Sequence, residues 1–195
     1  FCRLQGPNEL YRNRGQWHFE RIDCGAAACP DQLSTGCVLT DVDGDADLDL
    51  LVNGIGNGTR LFLNDGRANW TEVNDSGLSR TATPMSSTLA DIDGDGDLDL
   101  YCAHYIDVMY LSDPTTQLTL GTVDGLPGVV SVNGQPASLP RWRDRFEVQP
   151  DGSVRERPEM DGLYQNEGGG RFTPIQRTPG RFQDESGRPI QPPRD

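Results

Sequence analysis

Two nine-residue stretches of alternating aspartates constrain the fold of this 195-residue chain more than any other feature. Residues 41–49 read Asp-Val-Asp-Gly-Asp-Ala-Asp-Leu-Asp, and residues 91–99 read Asp-Ile-Asp-Gly-Asp-Gly-Asp-Leu-Asp. Apolar residues typical of strands flank both stretches, so an unstructured acidic tail does not explain them. Two carboxylates ~5 Å apart repel each other by roughly 3 kcal/mol at an effective dielectric constant of ~20. A chain that bends into a tight loop at these positions therefore requires a cation.

Each stretch predicts a calcium-binding loop. Oxygen ligands select a hard cation, and a flexible loop rich in carboxylates favours Ca²⁺ over Mg²⁺. The spacing copies the first part of an EF-hand loop, but Val52 and Cys102 stand at the twelfth position, where an EF-hand has Glu. The predicted ligands of the two Ca²⁺ sites are the side chains of Asp41, Asp43, Asp45 and Asp49 with the carbonyl of Asp47, and the side chains of Asp91, Asp93, Asp95 and Asp99 with the carbonyl of Asp97.

The two loops differ at their sixth position. Gly96 stands there in the second loop, and Ala46 stands there in the first. This position usually needs a positive φ, which glycine adopts without steric cost. We therefore expect the first loop to be more strained or to bind Ca²⁺ more weakly than the second.

The aspartate loops also account for most of the net charge of −13. Ten of the 30 acidic residues lie in the loops. The other 20 are nearly balanced by the 17 basic residues, so the rest of the chain has a charge of −3. This balance argues against a basic nucleic-acid-binding face, so we expect no nucleic-acid partner. The chain also lacks a run of 18 apolar residues, so we expect no membrane span.

A second motif repeats along the chain. Its pattern is Leu, an aromatic, any residue, Asn, any residue, Gly, three residues and an aromatic, and it starts at Leu10, Leu61 and Leu163. The second and third copies start 51 and 153 residues after the first, and the aspartate stretches are 50 residues apart. A period near 50 built from short strands and Asn/Gly turns is typical of a propeller or solenoid. The sequence therefore predicts an all-β fold, a β-propeller segment of about three to four four-stranded blades.

The repeats divide the chain into three parts. Residues 1–114 hold propeller blades with the two aspartate loops, and they end in a degenerate motif copy at residues 109–114. Residues 115–160 lack an aspartate loop and form either an insertion or a degenerate blade, of which frequent Pro and Gly favour the insertion. Residues 161–195 hold a further blade strand and a truncated, Pro-rich connection. We expect the chain to be an internal segment of a longer propeller.

These residues resemble a known family. The pattern Asp-x-Asp-Gly-Asp-x-Asp-Leu-Asp before an apolar strand, with Leu-Tyr-x-Asn-x-Gly between copies, is similar to FG-GAP/VCBS-repeat β-propellers. Integrin α-subunit propellers share the calcium loop, and the closer likeness is to the acidic-cartilage-protein type found widely in bacteria. The resemblance covers residues 8–111 and 161–172. It implies a seven- or eight-bladed propeller with Ca²⁺ in hairpin loops, in secreted or surface proteins, and it brings no common catalytic residues.

The resemblance implies a calcium-stabilised extracellular β-propeller that acts as a binding, adhesion or assembly module and is not an enzyme. The expected partners are the rest of its own propeller and a protein or carbohydrate ligand on the cell surface or in the matrix. We expect the protein to be secreted or at the cell surface, with the periplasm as the alternative. Two other functions stay open, namely part of a secreted polysaccharide lyase or hydrolase, and a structural subunit of a surface layer or filament.

Five cysteines fit an extracellular protein, where disulfides form and persist. Cys24 and Cys29 flank a short Gly-Ala loop and are the first candidates for a disulfide pair. Cys37 and Cys102 lie inside strand patterns, where a buried free thiol is the simpler interpretation. The odd number leaves one cysteine without a partner in this chain.

Overall fold

A computed structural model of the chain shows an all-β fold and describes residues 2–105, 110–139, 142, 145–157, 159–175, 186 and 188. The strands within these residues pair antiparallel throughout. They are β1 (Leu10–Asn13), β2 (Phe19–Ile22), β3 (Ser34–Thr40), β4 (Asp49–Gly54), β5 (Gly58–Asn64), β6 (Trp70–Val73), β7 (Pro84–Ala90), β8 (Asp99–His104), β9 (Leu118–Val123), β10 (Leu126–Val132), β11 (Gln135–Pro136), β12 (Phe146–Val148), β13 (Val154–Glu156), β14 (Gly162–Asn166) and β15 (Phe172–Pro174). Two short 3-10 helices, Gly25–Ala28 and Tyr110–Ser112, complete the described elements.

The first four-stranded sheet is built from one continuous stretch of chain, residues 34–73. Its strands follow one another in the order β3-β4-β5-β6. β4 is buried along its whole length, and its apolar run Leu50-Leu51-Val52 is typical of a strand that is covered on both faces. The first sheet therefore forms the centre of the described structure.

The second four-stranded sheet repeats this order from two separate stretches of chain. β7 and β8 supply its first two positions, and β14 and β15 supply its last two. Tyr164 of β14 pairs with Leu100 of β8. β14 and β15 therefore complete the sheet that β7 begins. Most of the expected Pro-rich connection after residue 175 lies outside the described residues.

A separate small module lies in the chain between β8 and β14. It contains a three-stranded sheet in the order β11-β10-β9 and a two-stranded sheet of β12 and β13. Its own apolar core contains Val129, Val132, Ala137 and Trp142. This arrangement is that of an insertion within one sheet. In the expected degenerate motif copy, Met109 lies outside the described residues, and Tyr110–Ser112 form a 3-10 helix where the motif needs a strand.

Two apolar cores cover the two faces of the first sheet. The core toward the second sheet contains Val42, Leu51, Leu61, Leu78, Leu100, Cys102, Tyr164 and Phe172. The core toward the segment before β3 contains Cys24, Ala27, Cys29, Leu50, Val52 and Phe62. Successive residues of a strand face opposite sides, so neighbours such as Leu50 and Leu51 enter different cores. The loop between β3 and β4 therefore projects from a sheet that is held on both faces.

The cysteines form no disulfide in this structure, since all five carry free thiols. The Sγ atom of Cys24 lies 3.5 Å from the carbonyl oxygen of Asn8, and that of Cys29 lies 3.9 Å from the carbonyl oxygen of Ala26. The expected Cys24–Cys29 pair is therefore not bonded, because the two thiols donate to different carbonyl groups.

The described sheets do not close into a ring. They comprise the two four-stranded sheets, the two-stranded β1–β2 hairpin and the two small sheets of the insertion. Among the described residues, no helix has the length and apolar character needed to cross a membrane.

Candidate metal centre

The first aspartate stretch forms the hairpin connection between β3 and β4. Thr40 ends β3 and pairs directly with Asp49, the first residue of β4, so the eight residues between them must fold back tightly. Carboxylate oxygens of Asp41, Asp43 and Asp49 lie within 4.8 Å of one another. The predicted loop is therefore present, and three of its carboxylates converge.

Backbone amides hold the first loop in this shape. Asp41 accepts hydrogen bonds from the amides of Gly44 (2.8 Å) and Ala46 (3.0 Å). Asp49 is fully buried and accepts hydrogen bonds from the amides of Val42 (2.9 Å) and Asn64 (2.9 Å). Each of these carboxylates therefore fixes the loop backbone while it faces the other carboxylates of the group.

The second aspartate stretch, between β7 and β8, has the same geometry. Carboxylate oxygens of Asp91, Asp93 and Asp99 lie within 4.8 Å of one another. Asp91 accepts hydrogen bonds from the amides of Gly94 (2.7 Å) and Gly96 (3.1 Å). Asp99 accepts hydrogen bonds from the amides of Ile92 and Asn166, at 2.9 and 2.8 Å. The second loop thus repeats the first, bond for bond, although its closing amide comes from a distant part of the chain.

The aspartates at the fifth and seventh positions of each loop lie outside the converging groups. Asp45 and Asp95 are exposed, and each accepts a hydrogen bond from the amide two residues later, at 2.8 and 2.9 Å. The side chain of Asp47 lies against Gly66, where an added Cβ would stand 2.7 Å from the Asp47 Oδ2 atom. Of the four side-chain ligands predicted for each loop, the structure therefore brings three together.

Burial and mutual repulsion disfavour the ionised form of several loop carboxylates. The pKa of Asp43 is raised by burial and then by the nearby carboxylates of Asp49 and Asp45. Burial also raises the pKa of Asp49, against the effect of the two amides that donate to it. The pKa of Asp93 in the second loop is raised by burial as well. A bound cation reverses this balance, because it favours the charged carboxylates.

The backbone at the sixth position is left-handed in both loops. Ala46 has a φ of 71° and Gly96 has a φ of 98°. A non-glycine residue rarely adopts such a φ, so the first loop contains a local strain that the second loop lacks. The structure agrees with the conformation that we expected at this position, whereas the predicted difference in Ca²⁺ affinity stays a prediction.

The asparagine of the repeated motif also belongs to the site, although the sequence pattern predicts only a turn residue. The side-chain amide of Asn64 donates to the carbonyl of Leu48 at 3.1 Å. The side-chain amide of Asn166 donates to the carbonyls of Leu98 at 3.2 Å and Val42 at 2.9 Å. Each asparagine thus connects the third strand of its sheet to an aspartate loop. In the sequence, this contact is indicated by the Asn that recurs in the motif after each aspartate loop.

The converging donors fit a hard divalent cation. All three side chains in each group offer carboxylate oxygens, and these are the ligands that Ca²⁺ and Mg²⁺ prefer. The loops sit at the ends of paired strands and are open to solvent on one side, since Asp91 and Asp93 are exposed. This openness leaves room for water molecules and for the carbonyl oxygen predicted as a further ligand.

Comparison with known protein families identifies one repeat in this part of the chain. Residues 41–102 match the FG-GAP-like repeat. The match begins at Asp41, the first carboxylate of the first loop, and ends at Cys102 in β8, so it covers both loops. Comparison with curated proteins and with solved structures gives no match.

Proposed function

We propose that the loops at residues 41–49 and 91–99 each bind one Ca²⁺ ion and that these ions stabilise the fold. The observation that carries this proposal is the convergence of three carboxylates at the same place in both four-stranded sheets. Three carboxylates held this close repel one another strongly without a counter-ion. The repetition in a second sheet, assembled from different stretches of chain, argues for a common ligand.

Three side chains would hold the ion in each loop, namely Asp41, Asp43 and Asp49 in the first and Asp91, Asp93 and Asp99 in the second. When bound, the ion supplies positive charge that offsets the carboxylate repulsion. The fully buried carboxylate of Asp49 also accepts two backbone amides, so it connects the ion to β4 and to Asn64 on β5. Ca²⁺ would therefore strengthen the start of β4 and its pairing with β5.

Calorimetric titration and thermal unfolding test this proposal. We expect chelator-treated protein to bind two Ca²⁺ ions and to melt about 10 °C higher when free Ca²⁺ exceeds the Kd a hundredfold. The variants Asp43→Asn and Asp93→Asn should each remove one site and leave the other. Mg²⁺ at the same concentration should bind more weakly, because it loses its water ligands reluctantly. A melting temperature that does not change on chelation would refute the structural role of Ca²⁺.

We further propose that the chain is a segment of an FG-GAP/VCBS-type β-propeller that acts outside the cell as a binding, adhesion or assembly module. The match of residues 41–102 to the FG-GAP-like repeat and the two similar sheets support this architecture. Extracellular calcium modules bind with Kd values of about 10⁻⁴–10⁻³ M, so such sites are filled outside the cell.

The insertion supplies the surface that favours a binding role. It has its own core, and the β9–β10 hairpin exposes Leu120, Val123 and Leu126, the last of which is 70% exposed. Exposed apolar side chains grouped at one hairpin end are typical of contact surfaces. Binding of the calcium-loaded protein to arrays of glycans and matrix proteins, compared with a Leu120→Ser/Leu126→Ser variant, tests this role. Cleavage of a polysaccharide would favour the enzyme alternative, and growth of large homotypic assemblies would favour the filament alternative.

A further inference from the structure

Two cysteines from distant parts of the sequence meet beside the first sheet. The side chains of Cys2 and Cys37 lie next to each other and interact electrostatically. The amide of Ser34 donates to the carbonyl oxygen of Arg3 at 3.1 Å, which holds the segment around Cys2 alongside the start of β3. Both cysteines line an apolar groove of about 570 Å³ between the β1–β2 hairpin and the first sheet. Their contact is therefore supported by the neighbouring backbone.

The sequence repeat places an equivalent contact between the two four-stranded sheets. Adding the motif spacing of 51 residues to Cys2 gives Asn53, and adding the loop spacing of 50 residues to Cys37 gives Ser87. The side-chain amide of Asn53 donates to the Ser87 hydroxyl at 2.9 Å. Equivalent positions of successive repeats are therefore in contact in two places. Asn53 and Ser87 meet through an amide and a hydroxyl, and Cys2 and Cys37 meet through their thiols.

The other three cysteines have different partners. The thiols of Cys24 and Cys29 lie next to the carbonyl oxygens of Asn8 and Ala26. The buried thiol of Cys102 lies 3.4 Å from the Ser87 hydroxyl and 3.6 Å from the Thr59 hydroxyl. Cys37, in contrast, is exposed and Cys2 is half-buried, so both can be reached by an oxidant.

We propose that Cys2 and Cys37 form a disulfide that covalently joins the segment before β1 to β3. The bond would close a loop that contains the β1–β2 hairpin and the 3-10 helix of residues 25–28. It would join the segment before β3 to the first four-stranded sheet. At the equivalent place, the first and second four-stranded sheets are joined by the Asn53–Ser87 hydrogen bond. The proposal does not depend on calcium binding.

Thiol–disulfide exchange with a small-molecule or protein disulfide supplies the oxidation. The Cys37 thiolate attacks one sulfur of the oxidant and releases a thiolate, which takes up a proton. The Cys2 thiol then loses its proton and attacks the Cys37 sulfur of the mixed disulfide, which releases the second thiol of the oxidant. Two thiols of the protein are oxidised, and the oxidant is reduced to two thiols. The contact with Cys2 lowers the pKa of Cys37, which favours Cys37 as the attacking sulfur.

Disulfide mapping tests the proposal. The folded chain is equilibrated with oxidised glutathione, and its free thiols are counted before and after denaturation. We expect the count to fall from five to three and a non-reduced peptide map to contain a Cys2–Cys37 linkage. Closure of a loop of about 35 residues should raise the melting temperature by about 10 °C over the reduced protein.

Two sets of variants separate the outcomes. Cys2→Ser and Cys37→Ser should each abolish the difference in melting temperature between oxidised and reduced protein, whereas Cys24→Ser should retain it. The thiol count of the folded wild type gives a readout that does not depend on how well the variants fold. Five free thiols after equilibration, a Cys24–Cys29 linkage, or lasting mixed disulfides with glutathione would each overturn the proposal.

Discussion

The two four-stranded sheets share a strand order, an aspartate loop and a motif asparagine, but the chain builds them differently. A turn at residues 55–57 joins the second and third strands of the first sheet, whereas residues 105–161 separate these strands in the second. The loop geometry is the same in both, since the aspartate at the ninth position accepts a hydrogen bond from the backbone amide of the motif asparagine, at 2.9 and 2.8 Å. The loop, the strand pair and the asparagine therefore form a unit that tolerates a large insertion.

The two sheets differ in which loops the side chain of the motif asparagine contacts. Asn64 is half-buried and contacts the loop of its own sheet. Asn166 is 1% exposed and contacts its own loop together with the carbonyl of Val42 in the first loop. The first loop is thus held by asparagines from both sheets. A single side chain therefore contacts both aspartate loops.

Removal of the buried aspartate tests whether the two sheets contain equivalent units. Asp49→Ala and Asp99→Ala each leave two backbone amides without an acceptor, at roughly 1–3 kcal/mol per amide. We expect each variant to lose about 4 kcal/mol of unfolding free energy in chelator, measured by urea denaturation. Asp45→Ala, which removes an exposed carboxylate, should change stability by less than about 0.5 kcal/mol in chelator. Very different losses for Asp49→Ala and Asp99→Ala would show that the units are not equivalent.

Removal of the asparagine side chain tests the bridge between the sheets. Asn166→Ala breaks hydrogen bonds to two carbonyls in a buried setting and should cost about 2–3 kcal/mol, whereas Asn64→Ala should cost about 1 kcal/mol. Asn166→Ala should also weaken Ca²⁺ binding at both loops, and Asn64→Ala should weaken it at the first loop. Calorimetric titration of the two variants measures this. Unchanged affinity of the first loop in Asn166→Ala would exclude the bridge as a coupling element.

The sequence predicted the loops well because their chemistry is local. Alternating carboxylates between apolar segments fold back within nine residues, so spacing alone indicated the convergence of Asp41, Asp43 and Asp49. The same local reasoning placed Asp45 among the side-chain ligands, although its carboxylate turns to the amide of Asp47. Spacing indicates which residues share a loop. It does not determine whether a given carboxylate accepts hydrogen bonds from backbone amides or points toward the other carboxylates.

The sequence does not show which strand pairs with the third motif copy, because this pairing is long-range. The insertion adds about one repeat length of chain, so Leu163 lies 102 residues after Leu61, which is twice the spacing of 51. The motif therefore keeps the repeat spacing across the insertion, and this spacing does not reveal that β14 pairs with β8. Strand partners across an insertion depend on contacts that no local pattern encodes. For the same reason, the link from Asn166 to Val42 was not foreseen.

Exchange of the sixth residue tests the backbone difference between the loops. Ala46 at a φ of 71° costs roughly 1–2 kcal/mol in steric strain. Glycine would remove this strain, but its greater conformational freedom in the unfolded chain offsets part of the gain. We expect Ala46→Gly to stabilise the protein by about 0.5–1 kcal/mol and to tighten Ca²⁺ binding at the first loop. The matched variant Gly96→Ala should have the opposite effect on the second loop. Equal Ca²⁺ affinities in the wild type and in Ala46→Gly would show that the strain does not reach the ligands.

The pH dependence of the metal-free protein provides the finest comparison. The raised pKa values of Asp43, Asp49 and Asp93 mean that the folded state binds protons more tightly than the unfolded state at these groups. Their contribution to stability is complete below the unfolded pKa, near 3.8, and is lost as the pH rises through the raised folded values. Glu72 acts in the opposite direction, because its contact with Arg60 lowers its pKa and its contribution is lost on acidification.

We therefore expect the stability of chelated protein to increase modestly as the pH falls from neutrality through the raised pKa values, before the loss at Glu72 and similar carboxylates dominates. Urea denaturation at a series of pH values measures this. Asp43→Asn should flatten the dependence more than Asp93→Asn, because Asp43 is half-buried and faces Asp49, whereas Asp93 is exposed. Saturating Ca²⁺ should reverse the slope, since protons then compete with the ion for the same oxygens. If stability depends on pH in the same way with and without Ca²⁺, the carboxylates that titrate are not the ones that bind the ion.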